Sequence, residues 1–570
     1  VRLVMFNKED HFLDPCCGTG TIARAAMALK REAGMSEADA LASTWLSDLF
    51  EAPLQLSTLA CVRPESMGEV VQVFQEDVFE LEPGSTITFR DPSDGAELAR
   101  QLPFFGSIAS NLPFIGQSGR AAYEQCMQRV NAEYLAPLGG RAELPARADV
   151  SAFIPFAVLP LLRAGARLGI IITNAWLGAE WGRRFWKGLS AYYKALKIVA
   201  SGAERWFQNS KVVTNIVVLE KRPTDQTPAD DEVTDFVLLR APLETCVGGD
   251  HGAATAAQIW LGQTHEDDLR IRGVSRAELA RFAQKGLQGN AQFVDCDWVL
   301  DLPLRPLSDL FEIRRGERRG WNAMFYPEGN HGIEPDWLTP LLRSPSDIQG
   351  YFASASSQAF TCSASLEELQ RRAHTGALNW IRYWENRTNT SGTPLPDALH
   401  DHDQEWYQFS PPTTGDLVAA IDYGDRLFIS RLVGDCVVDQ RLAVFVARDD
   451  GVDVELCHAL LNSVVGLFLI EGMGFGRGLG ALDLNATRYQ EYLNVLDPER
   501  LGAREAHFVK QAFRALCRRR IQPLADELDL PDRASFDETV LRAYGREDLY
   551  QRAKIALLEL HSMRDAARGN

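Results

Sequence analysis

The sequence predicts an α/β fold for the front half of the chain, followed by an α+β unit and a helical end. Over residues 1–222, short apolar runs alternate with helical stretches, a pattern typical of a mostly parallel sheet with helices packed against it. The polar, proline-bearing residues 222–232 then interrupt the alternation, as a linker does. Short apolar runs return after residue 301, and residues 501–570 are charged and helical in pattern.

The strands of the predicted sheet are short apolar runs. The first, Phe12–Leu13, leads into a glycine-rich turn, and the alanine-rich stretch Thr21–Lys30 then has the apolar spacing of a helix. The remaining runs are Thr44–Ser47, Glu69–Phe74, Gly106–Ala109, Ala166–Ile172 and Val212–Glu220. We therefore divide the chain into a sheet domain (1–222), a connector (223–300), an α+β domain (301–500) and a helical segment (501–570).

Length and composition exclude several classes of protein. The 570 residues accommodate two or three domains, and 46% hydrophobic and 24% charged residues are ordinary for a globular protein. We expect no transmembrane helix and no secretory signal, because apolar runs are too short and Val1–Phe6 is charged too early. The ten cysteines lack C-x-x-C spacing, so we expect reduced thiols, no metal site and a cytoplasmic location.

The net charge of −18 argues against a protein that coats nucleic acid indiscriminately, because such binding depends on lysine and arginine. A DNA enzyme with a local basic cleft remains compatible with this charge. Basic stretches occur at residues 314–319 and 518–520. Each is either such a local contact or an ordinary solvated face.

Polar residues follow four of the predicted strands. Asp14, Asp48, Asp77 and Asn111 come after the first four strands in turn, and ligands of parallel sheets bind outside these strand ends. The glycine-rich turn and the helix after it suit a ligand carboxylate. Asp48 suits ribose hydroxyls and Asp77 an adenine amino group, although either alone is equally explained as a turn or helix cap. Four such residues in register favour a nucleoside site.

Two motifs give this pattern a family resemblance. Residues 14–21 read D-P-C-C-G-T-G-T and resemble the D-P-x-C-G-x-G-T donor motif of the S-adenosylmethionine-dependent amino-methyltransferases. Residues 111–114, N-L-P-F, resemble the catalytic motif of the same family. Their order, with target recognition downstream, is that of gamma-type DNA adenine-N6 methyltransferases in fused restriction-modification and phage-defence systems. The resemblance covers residues 1–220 well and 300–500 more loosely.

The resemblance implies a Rossmann-like, seven-stranded domain that binds S-adenosylmethionine and methylates adenine N6 in double-stranded DNA after flipping the base. It implies that the Asn111 side-chain carbonyl and the Leu112 backbone carbonyl accept the amino hydrogens, with Pro113 beside them and Phe114 stacked on the base. The residues that it assigns to the methyl donor are Asp14, Cys16, Gly18, Gly20, Thr21, Asp48, Glu51, Asp77 and Val78.

The chain departs from the family at Leu112, where the motif has proline. The backbone acceptor is retained, but the fixed φ of proline is lost. The transfer is direct and needs no covalent cysteine, so Cys16 and Cys17 are expected to shape the loop. Three activities remain open: an active DNA enzyme, methylation of RNA adenine or protein glutamine, and a weakly active or inactive recognition protein.

The family has a further block before the first strand, whereas about thirteen residues precede Asp14 here. We therefore expect either that the chain is part of a longer protein or that another segment completes the donor pocket. No nuclease motif stands out in the sequence. A nuclease could then belong to such a longer protein or to another subunit of a restriction or defence complex.

The back half resembles the target-recognition domains of fused restriction-modification enzymes, over residues 311–322 and 337–343. There we expect DNA contacts from Arg315, Arg318, Arg319 and Trp321. Residues 379–388 mix aromatic residues with Arg382 and Arg387, which suits base-edge readout or filling the gap of a flipped base. The alternative is a buried aromatic helix with surface arginines.

A glycine-rich segment over residues 474–480, with Arg477 at its centre, is a further candidate for contact with the DNA backbone. The alternative is a flexible turn. The phosphate-binding loop of nucleotide hydrolases is excluded, because no Gly-Lys-Ser/Thr follows.

Overall fold

A sheet of nine strands forms the centre of the computed structural model, which describes residues 1–115, 117–207, 209–210, 212–248, 251–264, 268–400, 404–476, 480–566 and 568. In chain order the strands are β1 (Phe12–Asp14), β2 (Thr44–Asp48), β3 (Gln72–Gln75), β4 (Phe105–Asn111), β5 (Leu162–Thr173), β6 (Tyr193–Ser201), β7 (Thr214–Lys221), β8 (Val233–Leu239) and β9 (Leu269–Ser275).

The strands lie in the order β9-β8-β6-β7-β5-β4-β1-β2-β3. Every neighbouring pair from β3 to β5 is parallel. β7 is antiparallel to β5 and β6, β8 is parallel to β6, and β9 is antiparallel to β8. The sheet is therefore mixed with parallel pairs in the majority, as expected, and the carboxyl ends of β1 to β5 share one edge.

The sheet has nine strands, two more than the seven expected for residues 1–222, because the predicted connector supplies β8 and β9. Residues 12–221 contain seven strands of the sheet, and β8 then pairs with β6 over Asp235–Leu239. The inner part of β8 is fully buried, so these residues belong to the same core as the strands before them. The linker at 222–232 is a short connection within the sheet.

Helices and a hairpin surround this sheet. The helix Thr21–Glu32 buries Ala23, Ala26 and Met27 on one face, as its apolar spacing predicts. A two-stranded hairpin, Thr86–Arg90 with Glu97–Gln101, lies outside the sheet. The other α-helices of this half are Glu37–Ala42, Glu51–Cys61, Glu124–Val130, Ile154–Ala157, Gly182–Tyr192, Leu243–Val247, His251–Leu261 and Arg276–Gln284.

The back half combines small sheets with helices, as the α+β expectation states. One sheet has five strands in the order Phe311–Arg315, Leu442–Ala447, Leu417–Ala420, Ile429–Leu432 and Phe352–Ala353. A second has the order Ser357–Phe360, Leu338–Leu342 and Val437–Val438. Leu304–Pro306 pairs with Asn494–Leu496, and a small three-stranded sheet has the order Asp422–Tyr423, Leu482–Asp483 and Phe475–Gly476. The α-helices are Asn322–Phe325, Leu366–Arg371, Thr375–Glu385, Leu395–Ala398, Val454–Leu461, Val464–Met473 and Ala486–Tyr492.

The expected helical end is confirmed by helices Ala503–Leu516, Leu524–Leu528, Pro531–Ala543 and Tyr550–Ala566. The last helix is fixed to the back half by a buried ion pair, in which Arg564 donates to Glu471 at 2.7 Å. Within the described ranges, no single helix is both long and apolar enough to cross a membrane. The apolar helices Val454–Leu461 and Val464–Met473 meet that criterion only as a pair bent by 69°.

The two largest of five hydrophobic clusters among the described residues extend over most of the molecule. The larger runs from the front sheet through the five-stranded sheet to the C-terminal helices. The smaller lies within residues 324–437 and includes Trp337, Phe360 and Leu369. All ten cysteines are free thiols.

Candidate active site

The glycine-rich turn after β1 exposes backbone to the shared strand edge. Gly18 and Gly20 have φ values of +50° and +80°, a conformation that favours glycine. A Cβ on Gly20 would lie 3.0 Å from the Ser57 Cβ, whereas one on Gly18 would meet nothing within 4 Å. The turn is therefore packed from behind at Gly20 and open at Gly18. The helix Thr21–Glu32 begins at this turn without a side-chain cap, so its first N–H groups have no side-chain acceptor from the N-cap residue.

Asp48 joins the end of β2 to this turn. Its Oδ2 accepts the Gly18 N–H at 2.9 Å, and its Oδ1 accepts the Phe50 N–H at 3.1 Å. The Cys17 N–H also donates to the Ser47 carbonyl at 2.9 Å. Each carboxylate oxygen of Asp48 can accept a second bond. Asp48 is thus both a support of the turn and a candidate acceptor for ligand hydroxyls.

Asp14 lies inside the protein rather than at its surface, with 1% of the residue exposed. The Ser110 hydroxyl donates to its Oδ1 at 2.7 Å. Burial raises the pKa of Asp14 to about 7, against the opposing effect of the bonds from Ser110 and the Cys16 backbone. Because Ser110 precedes Asn111, this bond ties the turn after β1 to the end of β4. Asp14 is therefore a buried residue that holds the glycine-rich turn against the end of β4.

The other donor-site candidates divide by exposure. Thr21 and Glu51 are exposed, at the first positions of their helices. Asp77 follows β3, and its Oδ1 caps the turn by accepting the Phe79 N–H at 3.0 Å, with Val78 buried beneath. Burial, with Asp14 and Asp48 nearby, raises the pKa of the Cys16 thiol well above its usual value. Cys16 is therefore a half-buried thiol whose raised pKa disfavours the nucleophilic thiolate form.

Asn111 ends β4 beside the turn, and its Oδ1 is buried without a hydrogen-bond partner among the described residues. An unpaired buried acceptor costs about 1–3 kcal/mol, so native proteins keep few of them. Here the unpaired oxygen lies at the end of a strand whose neighbour, β1, carries the donor turn. The arrangement is suited to a ligand that donates an N–H.

Leu112 has a structural reason to replace the proline of the family motif. Its N–H donates to the Ile171 carbonyl at 3.1 Å and continues the pairing of β4 with β5. Its side chain is buried, with 1% of the residue exposed. Proline has no N–H and could not make this bond. The backbone at this position is thus held by the sheet instead of by a proline ring.

Phe114 meets a residue that the sequence did not assign to the site. Its ring lies 5.6 Å from that of Phe207, at an interplanar angle of 70°. Phe207 comes from the segment between β6 and β7, and both rings are half-buried. Only the tertiary structure shows that Phe207 contacts Phe114. The two rings form an aromatic corner next to Asn111.

The arginines expected to contact DNA differ in how the fold uses them. Arg319 donates to the carbonyls of Gln408, Leu399, Glu405 and Trp406 at 2.9 to 3.2 Å. Its guanidinium therefore holds a loop together, and its expected contact with DNA stays a prediction. Arg315 and Arg318 are exposed, and Arg315 also donates to the Gln440 carbonyl at 3.0 Å.

The helix Thr375–Glu385 combines the two alternatives that its sequence left open. Its inner face is buried through Ala377, Leu378 and Ile381, whereas Arg382 and Arg387 are exposed and line a shallow groove with Tyr383. The Arg387 guanidinium lies 4.2 Å from the centre of the Tyr383 ring. Trp321 is half-buried against the smaller core.

Arg477 lies outside the described residues. Within the described ranges, no group of three or more His, Cys, Asp or Glu residues is placed to hold a metal ion.

Comparison with known proteins identifies solved structures that resemble this fold. No protein-family model and no curated protein sequence matches this chain. The structure of the Type IIL restriction-modification enzyme MmeI in complex with DNA is similar over 98% of this chain and 73% of that enzyme, with 13% identity and a TM-score of 0.55. The type IIG restriction endonuclease BpuSI is similar over 99% of this chain, at 13% identity and a TM-score of 0.40. This chain spans 63% of the length of BpuSI, less than two thirds.

The likeness to MmeI shows that this chain has the fold of a restriction-modification enzyme along nearly its whole length. Fold alone does not specify chemistry, which depends on the residues of the site. Those residues are the open turn at Gly18, the carboxylates of Asp48 and Asp77, the unpaired Asn111 oxygen and the aromatic corner.

Proposed function

We propose that this protein transfers a methyl group from S-adenosylmethionine to the N6 amino group of adenine in double-stranded DNA, within a cytoplasmic restriction-modification or phage-defence system. The observation that carries the proposal is the buried, unpaired Oδ1 of Asn111 beside the donor turn and the aromatic corner. Such an oxygen can accept a hydrogen bond from an amino group. The fold shared with a restriction-modification enzyme supports DNA as the substrate.

The residues of the turn suit the proposed methyl donor. The open side of Gly18 and the first N–H groups of helix Thr21–Glu32 would hold its carboxylate. Asp48, with Glu51 nearby in sequence, would accept its ribose hydroxyls, and Asp77, above the apolar Val78, would accept from its adenine. When bound, S-adenosylmethionine supplies a methyl group on a positively charged sulfur. Gly20, Cys16 and the buried Asp14 would shape this pocket without touching the reacting atoms.

Asn111 and Leu112 would prepare the acceptor. The exocyclic nitrogen of adenine is a poor nucleophile because its lone pair is delocalised into the ring. Acceptance of its two N–H bonds by the Asn111 side chain and the Leu112 carbonyl favours a pyramidal nitrogen. The nitrogen would thus be oriented towards the methyl group that S-adenosylmethionine would supply, with the methyl–sulfur electrons left on sulfur and one N–H proton released to water. Fixed orientation supplies most of the acceleration.

The aromatic corner would hold the base outside the duplex. Flipping a base costs a few kcal/mol, and stacking on an aromatic ring returns about 1–3 kcal/mol. Phe114, which follows Pro113, would supply the stacking face, and Phe207 would meet the base edge-on. The pairing of Leu112 with Ile171 keeps the backbone acceptor in place without the second proline.

We further propose that residues 1–222, with β8 and β9, form the methyltransferase domain and that residues 301–500 recognise the target. The exposed Arg315, Arg318, Arg382 and Arg387 are then candidates for phosphate or base contacts, with Trp321 supporting the surface. Because the protein as a whole is acidic, such contacts must be local. Other subunits of a restriction or defence complex are compatible with this arrangement.

Transfer of a tritiated methyl group from S-adenosylmethionine to DNA, RNA and protein tests the proposal directly. We expect labelling of double-stranded DNA at N6 of adenine, and loss of labelling in Asn111→Ala. Labelling of RNA or of protein glutamine instead would overturn the proposed substrate. Genomic DNA from the host contains all short target sequences. Absence of labelling with this DNA would therefore indicate an inactive recognition protein. Long-read methylation profiling of host DNA with and without the gene would then give the target sequence.

A further inference from the structure

A second cleft lies between the front sheet and the segment after β9, and its lining residues differ from those of the proposed methyl-transfer site. Its volume is about 150 Å³. Its walls come from the turn after β5, helix Gly182–Tyr192, helix Arg276–Gln284 and the residues that follow this helix. None of the donor or acceptor candidates is among the described residues that line it. The cleft is thus a separate feature, without a role in the proposed reaction.

Two buried N–H donors in the walls have no partner. Trp176 and Gln288 are only 4% and 8% exposed. The Trp176 Nε1 and the Gln288 Nε2 each lack a hydrogen-bond partner among the described residues. Leaving such a donor unpaired costs about 1–3 kcal/mol. Two of them on one cleft indicate that an acceptor from outside the chain belongs there.

The orientation of the Gln288 amide follows from its neighbour. Arg183 Nε donates to the Gln288 Oε1 at 3.3 Å. Because a guanidinium has no acceptor, the amide atom beside it must be the oxygen, so the unpaired atom is the nitrogen. The Arg183 guanidinium also stacks over the Tyr492 ring at 4.0 Å. Arg183 is exposed, so a fixed positive charge stands at the mouth of the cleft.

The remaining walls are aromatic and aliphatic. The indole rings of Trp176 and Trp186 stack at 5.9 Å with an interplanar angle of 6°. Leu279 and Ala283 face the same space from helix Arg276–Gln284. A cavity of this size holds about one benzene ring. The cleft thus combines room for a single ring, apolar walls and two donors for an acceptor group.

We propose that this cleft binds a small planar aromatic molecule that carries a hydrogen-bond acceptor, either a carboxylate or a carbonyl. The ring packs among Trp176, Trp186 and Leu279, and the acceptor takes the N–H groups of Trp176 and Gln288. The Arg183 charge favours a carboxylate over a neutral carbonyl. This site rests on the geometry of the cleft and is independent of the proposed methyl transfer.

The cleft also lies next to a contact between the front sheet and the back half. The backbone N–H of Gln288 donates to the Gly472 carbonyl of the back half at 3.0 Å. Asn174, two residues before Trp176, donates to the Gly476 carbonyl at 3.2 Å. Gln288, which lines the cleft, and Asn174, which lies close to the cleft in sequence, therefore connect the front sheet to the back half. We expect ligand binding to raise the thermal unfolding temperature of the whole chain.

Benzoate and benzamide are suitable probes, with cyclohexanecarboxylate as a non-planar control. Saturation-transfer NMR and calorimetry on the full chain should show saturable binding, with benzoate at least threefold tighter than benzamide and the control at least tenfold weaker than benzoate. Ala283→Phe should fill the cleft, and Gln288→Met should remove one donor at similar volume. Both should weaken benzoate binding at least tenfold, whereas Gln284→Met, at an exposed position on the same helix, should not.

Circular dichroism and thermal unfolding would establish that each variant is folded before it is compared. Gln288→Met tests the donor even where Ala283→Phe disturbs packing. Absence of saturable binding by both aromatic probes would overturn the proposal. Equal binding to the wild type and to a folded Ala283→Phe variant would also overturn it, because the probes would then occupy another place. Benzamide binding tighter than benzoate would remove the role of Arg183 and refute the carboxylate preference.

Discussion

The strand edge of the front sheet and the outer surface of the back half present their polar groups in different ways. At the strand edge, Asp14 and Asp48 bond to neighbouring backbone or side chains, and Asn111 beside them keeps an unpaired oxygen. On the back half, Arg319 is occupied by carbonyls, whereas Arg382 and Arg387 are exposed. At the strand edge, neighbouring groups hold the aspartates in place, and the Asn111 oxygen has no hydrogen-bond partner among the described residues. On the back half, the surrounding loops decide whether an arginine bonds to the protein or stays exposed to solvent.

The difference follows from how each side chain is held. A strand end fixes the direction of the residue after it, and a short side chain such as Asn or Asp has little freedom left. A long arginine reaches different partners from the same backbone position, so its use is decided by the loops around it. Substitutions at the front should therefore alter protonation, turnover or donor binding, and those at the back either DNA binding or stability.

The largest expected effect concerns the buried Asp14. Its pKa is raised from an ordinary 3.8 to about 7, so the folded state binds a proton more tightly than the unfolded state. The free energy of unfolding of the wild type should therefore fall, relative to Asp14→Asn, as pH rises from about 4 to about 7, and the difference should be constant above that. Its full size is up to about 4 kcal/mol. Urea unfolding of both proteins across this range measures it, and parallel curves would contradict a buried, proton-binding Asp14.

At the acceptor, Asn111→Ala should lower turnover by about 10²-fold or more. The side-chain carbonyl would be lost, while the donor turn and its affinity for S-adenosylmethionine should be retained. Single-turnover methylation and calorimetry separate these two quantities. Asn330→Ala, at an exposed position in the back half, is the matched control. Unchanged turnover in a folded Asn111→Ala variant would refute the assigned role.

Substitutions at the methyl-donor residues should instead weaken binding of S-adenosylmethionine. Asp77→Ala should weaken S-adenosylmethionine binding about tenfold, the size expected for one hydrogen bond to a charged group, and turnover at saturating donor should change little. Asp48→Ala should weaken binding as well, and it should also release the Gly18 turn, because Asp48 accepts the N–H of Gly18. Calorimetry with each variant tests this, and equal affinity of wild type and Asp77→Ala would remove Asp77 from the pocket.

The smallest effects are expected on the back half, where they separate the exposed arginines from the occupied one. Arg382→Ala and Arg387→Ala should each weaken DNA binding roughly threefold to tenfold and reduce the salt slope of binding by about one. Arg319→Ala should leave the salt slope unchanged and instead lower the free energy of unfolding by about 1–3 kcal/mol, since several carbonyls lose a donor. Fluorescence anisotropy over a salt series, with urea unfolding, distinguishes the two. A reversed pattern would assign DNA contact to Arg319.

Much of the front half could be predicted because its signals are local. The glycine turn after Leu13 and the helix after Thr21 follow from residues adjacent in sequence, and they form as expected. The positions of Asp14, Asp48, Asp77 and Asn111 at neighbouring strand ends follow from the alternation of strands and helices, and the observed strand order places them at one edge. The extent of the sheet did not follow, because the pairing of β8 with β6 depends on contacts that are distant in sequence.

The sequence by itself determined the fold class, the strand ends and the candidate residues at them, because period, turn chemistry and chain order are properties of neighbouring residues. Only the tertiary structure decided that Phe207 meets Phe114, that the Leu112 N–H bonds to Ile171, that the Asn111 oxygen stays unpaired and that Arg319 is occupied. Each of these is a contact between segments far apart in the chain. Whether a polar group is used by the fold or left for a ligand depends on such contacts, and no local pattern contains them.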